Sequence, residues 1–175
     1  MAETWVCLLR GVNVGGKKVS MNALRELLEG LGFEGVTTYI QSGNVVFTSS
    51  SGSAKRLAGD IRKAIQKELN LEVTVLLRSP DDMAEVTAAK PFAGGENVHV
   101  TFLDDEPDAS KVAAIDHDGY PPDEFEVIGR EVYLRCPNGY GRSKLTNSFW
   151  ERKLGVAATT RNWRTVEKLL GMASG

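Results

Sequence analysis

The first 78 residues alternate between strand-like and helix-like patterns of apolar positions. Residues 4–10, TWVCLLR, carry apolar side chains at both parities, which is typical of a central strand. From Ser20 the apolar residues recur every three or four positions and predict a helix that ends near Gly32. VTTYIQ and NVVFTS then predict a hairpin, which a second amphipathic helix from residue 54 and the strand LEVTVLLR follow. The resulting order, β-α-β-β-α-β, is that of a ferredoxin-like fold.

The second half repeats most of this order. SPDD at residues 79–82 combines a cap, a proline and acids, and so predicts a helix start. NVHVTFLDD predicts a strand, a short helix follows near residues 109–115, and EFEVIGREVYLRC predicts a hairpin. The loop NGYGRSK leads into two predicted helices, SKLTNSFWERKLG and TTRNWRTVEKLL, with Thr159 or Thr160 capping the last.

These elements together predict an α+β fold built on antiparallel sheets. Residues 1–78 form the ferredoxin-like half, βαββαβ, and residues 79–175 form a related second half, βαββαα. No linker rich in proline, glycine or serine separates the halves, so we expect them to pack as one compact unit. A duplication is inferred from the order of elements alone.

Composition excludes several classes of protein. No apolar run approaches the roughly 20 residues that cross a bilayer, and MAETWVCLLR lacks the order of a secretory signal, so we expect a cytoplasmic protein without a membrane partner. The two cysteines and two histidines show no metal-binding spacing, so neither a metal nor another cofactor is predicted.

The charges are distributed unevenly along the chain. Residues 99–127 hold nine acids and one lysine, whereas residues 128–175 hold nine cations and three acids. This asymmetry is compatible with attraction within the fold or with a basic face that meets an anionic partner.

RGVNVGGKK, at residues 10–18, lies between the first strand and the first helix. Its spacing matches a phosphate loop up to Lys18, where a magnesium-binding Ser or Thr is required, and the predicted antiparallel sheet also argues against that enzyme class. The backbone amides of Gly15 and Gly16 could still bind an anion, with Lys17 or Lys18 adding charge. The alternative is a turn that only reverses the chain.

Two further segments carry candidate polar residues. Gln41, Ser42 and Asn44 could present hydrogen-bonding groups at the hairpin tip, or could serve only their own turn. In TTRNWRT, the predicted helix places Arg161 in a first turn, where its charge opposes the helix dipole and a bound anion would compensate. Arg161 could instead pair with an acid from residues 99–127, and the spacing of Trp163 predicts a core position.

Three motifs resemble one bacterial family, known as domain of unknown function 1697: RGVNVGG, TYIQSGNVVF and RSKLTNSF with KLGVAATTRNWRTVEKL. The resemblance implies a soluble α+β protein built from related halves, with no assigned reaction or cofactor. It also implies that polar loop positions recur in the family. These are Arg10, Gly11, Asn13, Gly15, Gly16, Gln41, Ser42, Gly43, Asn44, Lys144, Arg161, Asn162 and Trp163.

The preferred hypothesis is a module that binds an anionic ligand, either a nucleotide, a phosphate-bearing molecule or nucleic acid. Its predicted contacts are Arg10, Gly11, Asn13, Gly15, Gly16, Lys17, Gln41, Ser42, Asn44, Arg142, Lys144, Arg161 and Asn162.

Two other classes stay open. The protein could be an enzyme that acts on a small polar or phosphorylated substrate, although Ser42 and Ser143 have no identifiable histidine partner. Asp104 and Asp105 could act as a carboxylate pair, or could simply end an exposed strand. A third hypothesis is a protein-binding or assembly role for the basic C-terminal helices.

Overall fold

The computed structural model describes residues 2–10, 19–39, 43–50, 52–89, 91–92 and 96–174. The elements before residue 90 are β1 (Glu3–Arg10), α1 (Met21–Gly30), β2 (Glu34–Tyr39), β3 (Asn44–Ser49), α2 (Ala54–Leu69), β4 (Thr74–Arg78) and α3 (Pro80–Ala88). Those after it are β5 (Val98–Leu103), α4 (Ala109–Ala113), β6 (Glu124–Ile128), β7 (Glu131–Arg135), a 3-10 turn (Tyr140–Arg142), α5 (Asn147–Leu154), β8 (Ala158–Asn162) and α6 (Trp163–Ser174).

The described strands form two four-stranded sheets with matching orders, β2-β3-β1-β4 and β6-β7-β5-β8. Every neighbouring pair is antiparallel. In both sheets the first strand of the half lies between the third and the fourth. The predicted α+β class, with antiparallel sheets and a ferredoxin-like first half, is confirmed.

One element differs from the prediction. Residues 158–162 form β8, where the sequence analysis placed the start of the last helix. The strand pairs with β5, with Arg161 opposite Val100, and α6 begins only at Trp163. The predicted cap at Thr159 or Thr160 is therefore wrong: Asn162 caps α6, because its Oδ1 accepts the Thr165 N–H at 2.8 Å. The second half thus has the full order βαββαβ before α6.

Each sheet has one face that packs against its helices. The first core cluster joins Cys7, Leu9 and Leu77 to the apolar stripes of α1 and α2. The second cluster includes Leu103, Leu134 and, from α5, Phe149 and Trp150. The apolar residues of α1 and α2 follow the predicted three- and four-residue spacing. This spacing puts them on one face of each helix, and burial of that face against the sheet stabilises the helix.

The central strands of both sheets are also buried on the opposite face. In β1, Val6 and Leu8 alternate with the core residues, and neither exposes its side chain. In the second sheet, Val100, Phe102 and Tyr133 are buried in the same way. The central strands therefore present no open aromatic surface to a ligand.

The chain divides into two compact units. One comprises residues 1–84 with 169–175, and the other comprises residues 85–168. The division at residues 78 and 79 into separate halves stays a prediction. None of the described helices has both the length and the apolar character that a bilayer span requires. Within the same residues, no group of three or more His, Cys, Asp or Glu side chains could hold a metal ion.

Candidate functional site

The structure describes some of the predicted ligand contacts. Arg10, Asn44, Arg142, Lys144, Arg161 and Asn162 are described. Seven others lie outside the described residues, so their role stays a prediction: Gly11, Asn13, Gly15, Gly16, Lys17, Gln41 and Ser42.

Asn44 is buried at the start of β3, opposite Leu8. Its Nδ2 donates to the Tyr39 carbonyl at 3.1 Å, which ties the two ends of the β2–β3 hairpin together. This is the local role that the sequence analysis gave as the alternative to ligand binding. Arg10 is half-buried at the end of β1, opposite Thr74.

Arg161 lies near the end of β8, an edge strand, and is only 6% exposed. Its Nη1 donates to Thr159 Oγ1 at 2.6 Å and to the Thr160 carbonyl at 3.0 Å. Arg161 is therefore not in the first turn of a helix, and the predicted opposition between its charge and the dipole of that turn is wrong. A role for Arg161 in a ligand site stays a prediction.

Asp104 and Asp105 have local hydrogen-bonding roles at the end of β5. Asp104 Oδ1 accepts the Ala157 N–H at 2.9 Å, and Asp105 Oδ1 accepts the Glu106 N–H at 2.8 Å. Asp104 thus helps to hold the chain that enters β8. This arrangement agrees with the strand-end interpretation of the two aspartates.

Arg142 and Lys144 line the same surface cleft, which has a volume of about 300 Å³. We call it the Arg142–Lys144 cleft. Residues 119–123 form one wall, and residues 138, 139, 142 and 144 form the other. Both cations are exposed. The cleft therefore contains two of the cations that the sequence analysis predicted as ligand contacts.

Short hydrogen-bonded turns build both walls. In the first wall the Asp123 N–H donates to the Tyr120 carbonyl at 2.8 Å, and the Tyr120 and Phe149 rings form a T-shaped pair with centroids 5.2 Å apart. In the second wall the Gly139 N–H donates to the Cys136 carbonyl at 2.8 Å. Gly139 has a φ of 93°, which favours glycine because a Cβ atom is strained in that region.

Tyr120, Asp123 and Asn138 are lining residues that the sequence analysis did not select. Asp123 gives the cleft a hydrogen-bond acceptor on the wall opposite the two cations, and Asn138 offers both donor and acceptor atoms. GYPPD, at residues 119–123, is a dense group of turn-forming residues, and this was the available signal. Residues 119–123 lie near residues 138–144 because the β6–β7 hairpin connects the two segments.

The buried thiol of Cys136 lies beneath the second wall. Burial raises the pKa of this thiol, and the negative charge of Asp123 raises it further, whereas a hydrogen bond with Ser143 lowers it. The thiol is therefore neutral at neutral pH and a poor nucleophile. The lining offers charge and hydrogen bonds, and none of its described side chains is a histidine, serine or cysteine.

Comparisons with known proteins assign the chain to a family. A model of the family described as "Protein of unknown function (DUF1697)" matches residues 2–133. A solved structure of the conserved bacterial protein SP0830 from Streptococcus pneumoniae is similar over 99% of both chains, with a TM-score of 0.77 and 24% sequence identity. At that identity the likeness shows the fold alone. Comparison with curated proteins gave no match.

Proposed function

The chain belongs to the DUF1697 family, and we propose that it binds a small phosphate-bearing anion in the Arg142–Lys144 cleft. The observation that carries the proposal is the presence of both cations in one cleft of about 300 Å³. An arginine presents a planar fork of donors to phosphate oxygens, and a lysine adds a compact charge. Each charge-assisted contact of this kind contributes about 1.5–3 kcal/mol.

The dimensions of the cleft favour a small molecule over a nucleic-acid strand. A volume of about 300 Å³ is at the lower end of the range for ligand sites. Single strands are bound by aromatic platforms on open surfaces, but Phe102 and Tyr133, the aromatic residues on the helix-free face of the second sheet, are buried. Phosphate, pyrophosphate or a phosphorylated metabolite is therefore the preferred class.

The cleft also supplies groups that could orient such a ligand. Asp123 can accept a hydrogen bond from a ligand hydroxyl or amino group, and Asn138 can pair with either a donor or an acceptor. The negative charge of Asp123 disfavours anionic oxygens close to it. The phosphate is therefore expected beside Arg142 and Lys144, with the polar remainder of the ligand facing Asp123.

The test is a calorimetric titration with orthophosphate and pyrophosphate at low ionic strength. The double variant Arg142→Ala/Lys144→Ala removes both cations, and we expect it to weaken pyrophosphate binding by at least about tenfold. Arg62→Ala/Lys63→Ala is the matched control, because it removes the same charges from exposed positions on α2. Binding by the wild type should also weaken as salt is added.

Equal affinity in the two double variants would contradict the proposal. If both lost affinity by the same factor, net charge alone would attract the anion and the cleft would have no specific role. Failure of the wild type to bind either probe would reject a phosphate site in this cleft.

A further inference from the structure

The two units differ at one matched position of their sheets. In the first sheet, Cys7 pairs with Leu77 across β1 and β4, and both belong to the apolar core. The corresponding pair in the second sheet is Thr101 and Thr160. The match is fixed by the next residue of each edge strand, which is a buried arginine opposite a valine: Arg78 opposite Val6, and Arg161 opposite Val100.

Thr160 is the centre of a hydrogen-bond network. Its hydroxyl donates to Asn147 Oδ1 at 2.6 Å and accepts from Tyr140 Oη at 3.2 Å. Its Oγ1 lies 2.7 Å from Thr101 Oγ1, and because the Thr160 proton goes to Asn147, Thr101 is the donor. One donor and two acceptor positions are thereby used, which is the full capacity of a hydroxyl.

Tyr140 connects this network to the cleft. Tyr140 begins the 3-10 turn that ends at Arg142, and Arg142 lines the cleft. The hydrogen bond from Tyr140 to Thr160 therefore connects this turn to β8. The Tyr140 ring also stacks on His99, with centroids 4.8 Å apart and an interplanar angle of 23°. Contacts with Thr160 and His99 thus fix Tyr140 at the start of the turn that contains Arg142.

Thr101 is fully buried and Thr160 is half-buried. Burying a hydroxyl where the first unit has an apolar side chain has an energetic cost that hydrogen bonding must offset. A purely structural pair could have stayed apolar, as Cys7 and Leu77 are. We propose that Thr160 and Tyr140 are positioning residues: their hydrogen bond fixes the turn so that Arg142 is held in place for the anion. This inference rests on the proposed function.

The main test uses Tyr140→Phe, which removes only the hydroxyl that reaches Thr160. We expect pyrophosphate binding to weaken by about three- to tenfold, since one hydrogen bond that orders the turn is lost. Thr160→Val should cause a similar loss, and Thr160→Ser should retain wild-type affinity because it keeps the hydroxyl. Thr48→Val is the matched control, since Thr48 Oγ1 lies 3.4 Å from Thr4 Oγ1 in a cross-strand threonine pair of the other unit.

Two further readouts separate positioning from general stability. In a double-mutant cycle, Tyr140→Phe should have little further effect on affinity in the Thr160→Val background, because both changes break the same contact. Amide hydrogen exchange at residues 141–144 should speed up in Tyr140→Phe and stay unchanged in the Thr48→Val control.

The outcomes are distinct for the two proposals. Wild-type affinity and wild-type exchange in Tyr140→Phe would overturn the positioning role while leaving phosphate binding intact. A lower melting temperature with unchanged affinity of the folded protein would also overturn it, because the network would then be structural only. If the wild type binds no pyrophosphate, the proposed function fails, and the exchange experiment still decides whether Tyr140 holds the turn.

Discussion

At the end of β4 and at the end of β8 the chain repeats one arrangement. A buried arginine donates from Nη1 to the carbonyl of the preceding residue, at 3.1 Å for Arg78 and 3.0 Å for Arg161. A polar cap then begins a helix: Ser79 Oγ accepts the Asp82 N–H at 3.0 Å, and Asn162 Oδ1 accepts the Thr165 N–H at 2.8 Å. Arg161 and Asn162 thus have counterparts in the first unit, and their role in a ligand site stays a prediction.

The units differ one residue earlier, where Leu77 corresponds to Thr160. The first unit uses the position for apolar packing, whereas the second uses it to anchor the turn that leads to Arg142. Polar residues shared by the two units therefore support the common fold. Polar residues present in only one unit are the better guides to function, and this contrast selects Thr160 and Tyr140 ahead of Arg161.

The largest expected change in stability concerns the buried arginine that both units share. Arg78→Met and Arg161→Met should each lower the free energy of unfolding by about 3 kcal/mol, because buried acceptors lose a charged donor. Urea denaturation of both variants measures this. If Arg161→Met kept full stability and lost pyrophosphate affinity, Arg161 would belong to the ligand site and not to the shared framework.

A smaller change in stability is expected at Thr160, the position at which the units differ. Thr160→Val should cost about 2 kcal/mol of unfolding free energy, because the fully buried Thr101 hydroxyl loses its acceptor. Thr101→Val/Thr160→Val, which brings in an apolar pair like that of the first unit, should cost no more than the single change. A double variant with the summed cost of both single changes would contradict this account.

The helix caps should give matched effects of about 1 kcal/mol. Ser79→Ala and Asn162→Ala each remove one side-chain acceptor from the first turn of the following helix. Equal losses of stability, with unchanged pyrophosphate affinity in Asn162→Ala, would confirm that Asn162 is a cap. A selective loss of affinity would instead return Asn162 to the ligand site.

The two histidines should cause the smallest changes in stability, and these changes should depend on pH in opposite directions. Burial lowers the pKa of His99, so its contribution to stability is present above pH 6.5 and is lost as the pH falls below that value. A hydrogen bond with Glu126 raises the pKa of His117, so its contribution is present below pH 6.5 and is lost as the pH rises through the folded-state pKa.

An NMR titration of the histidine rings measures both values. Glu126→Gln should return the pKa of His117 toward 6.5 and leave that of His99 unchanged. Two titrations at the same unperturbed pKa would contradict the environments described for these side chains.

The sequence predicted the fold well where apolar periodicity was strong, as in α2 with its buried Leu57, Ile61 and Ile65. It missed β8 because this edge strand is short and turns Thr160 toward α5, so no apolar alternation marks it. The choice of Thr159 or Thr160 as the cap then extended the predicted helix too far toward the N-terminus. Two β-branched residues, Thr159 and Thr160, were the available strand signal.

The cleft was only partly predictable. Arg142 and Lys144 stood out as two cations in the glycine-containing loop NGYGRSK. Their opposite wall, at residues 119–123, follows from the β6–β7 hairpin, and Tyr140 gains its role only through contact with Thr160, 20 residues away. Such long-range contacts leave no periodic signal in the sequence.

The most direct test of the central claim is an NMR titration of the labelled wild type with pyrophosphate. The account predicts saturable shifts at the backbone amides of residues 138, 139 and 142–144 and at the Arg142 side chain, with none on the exposed face of α2. Saturable shifts confined to other parts of the chain, or no shifts at all, would contradict it.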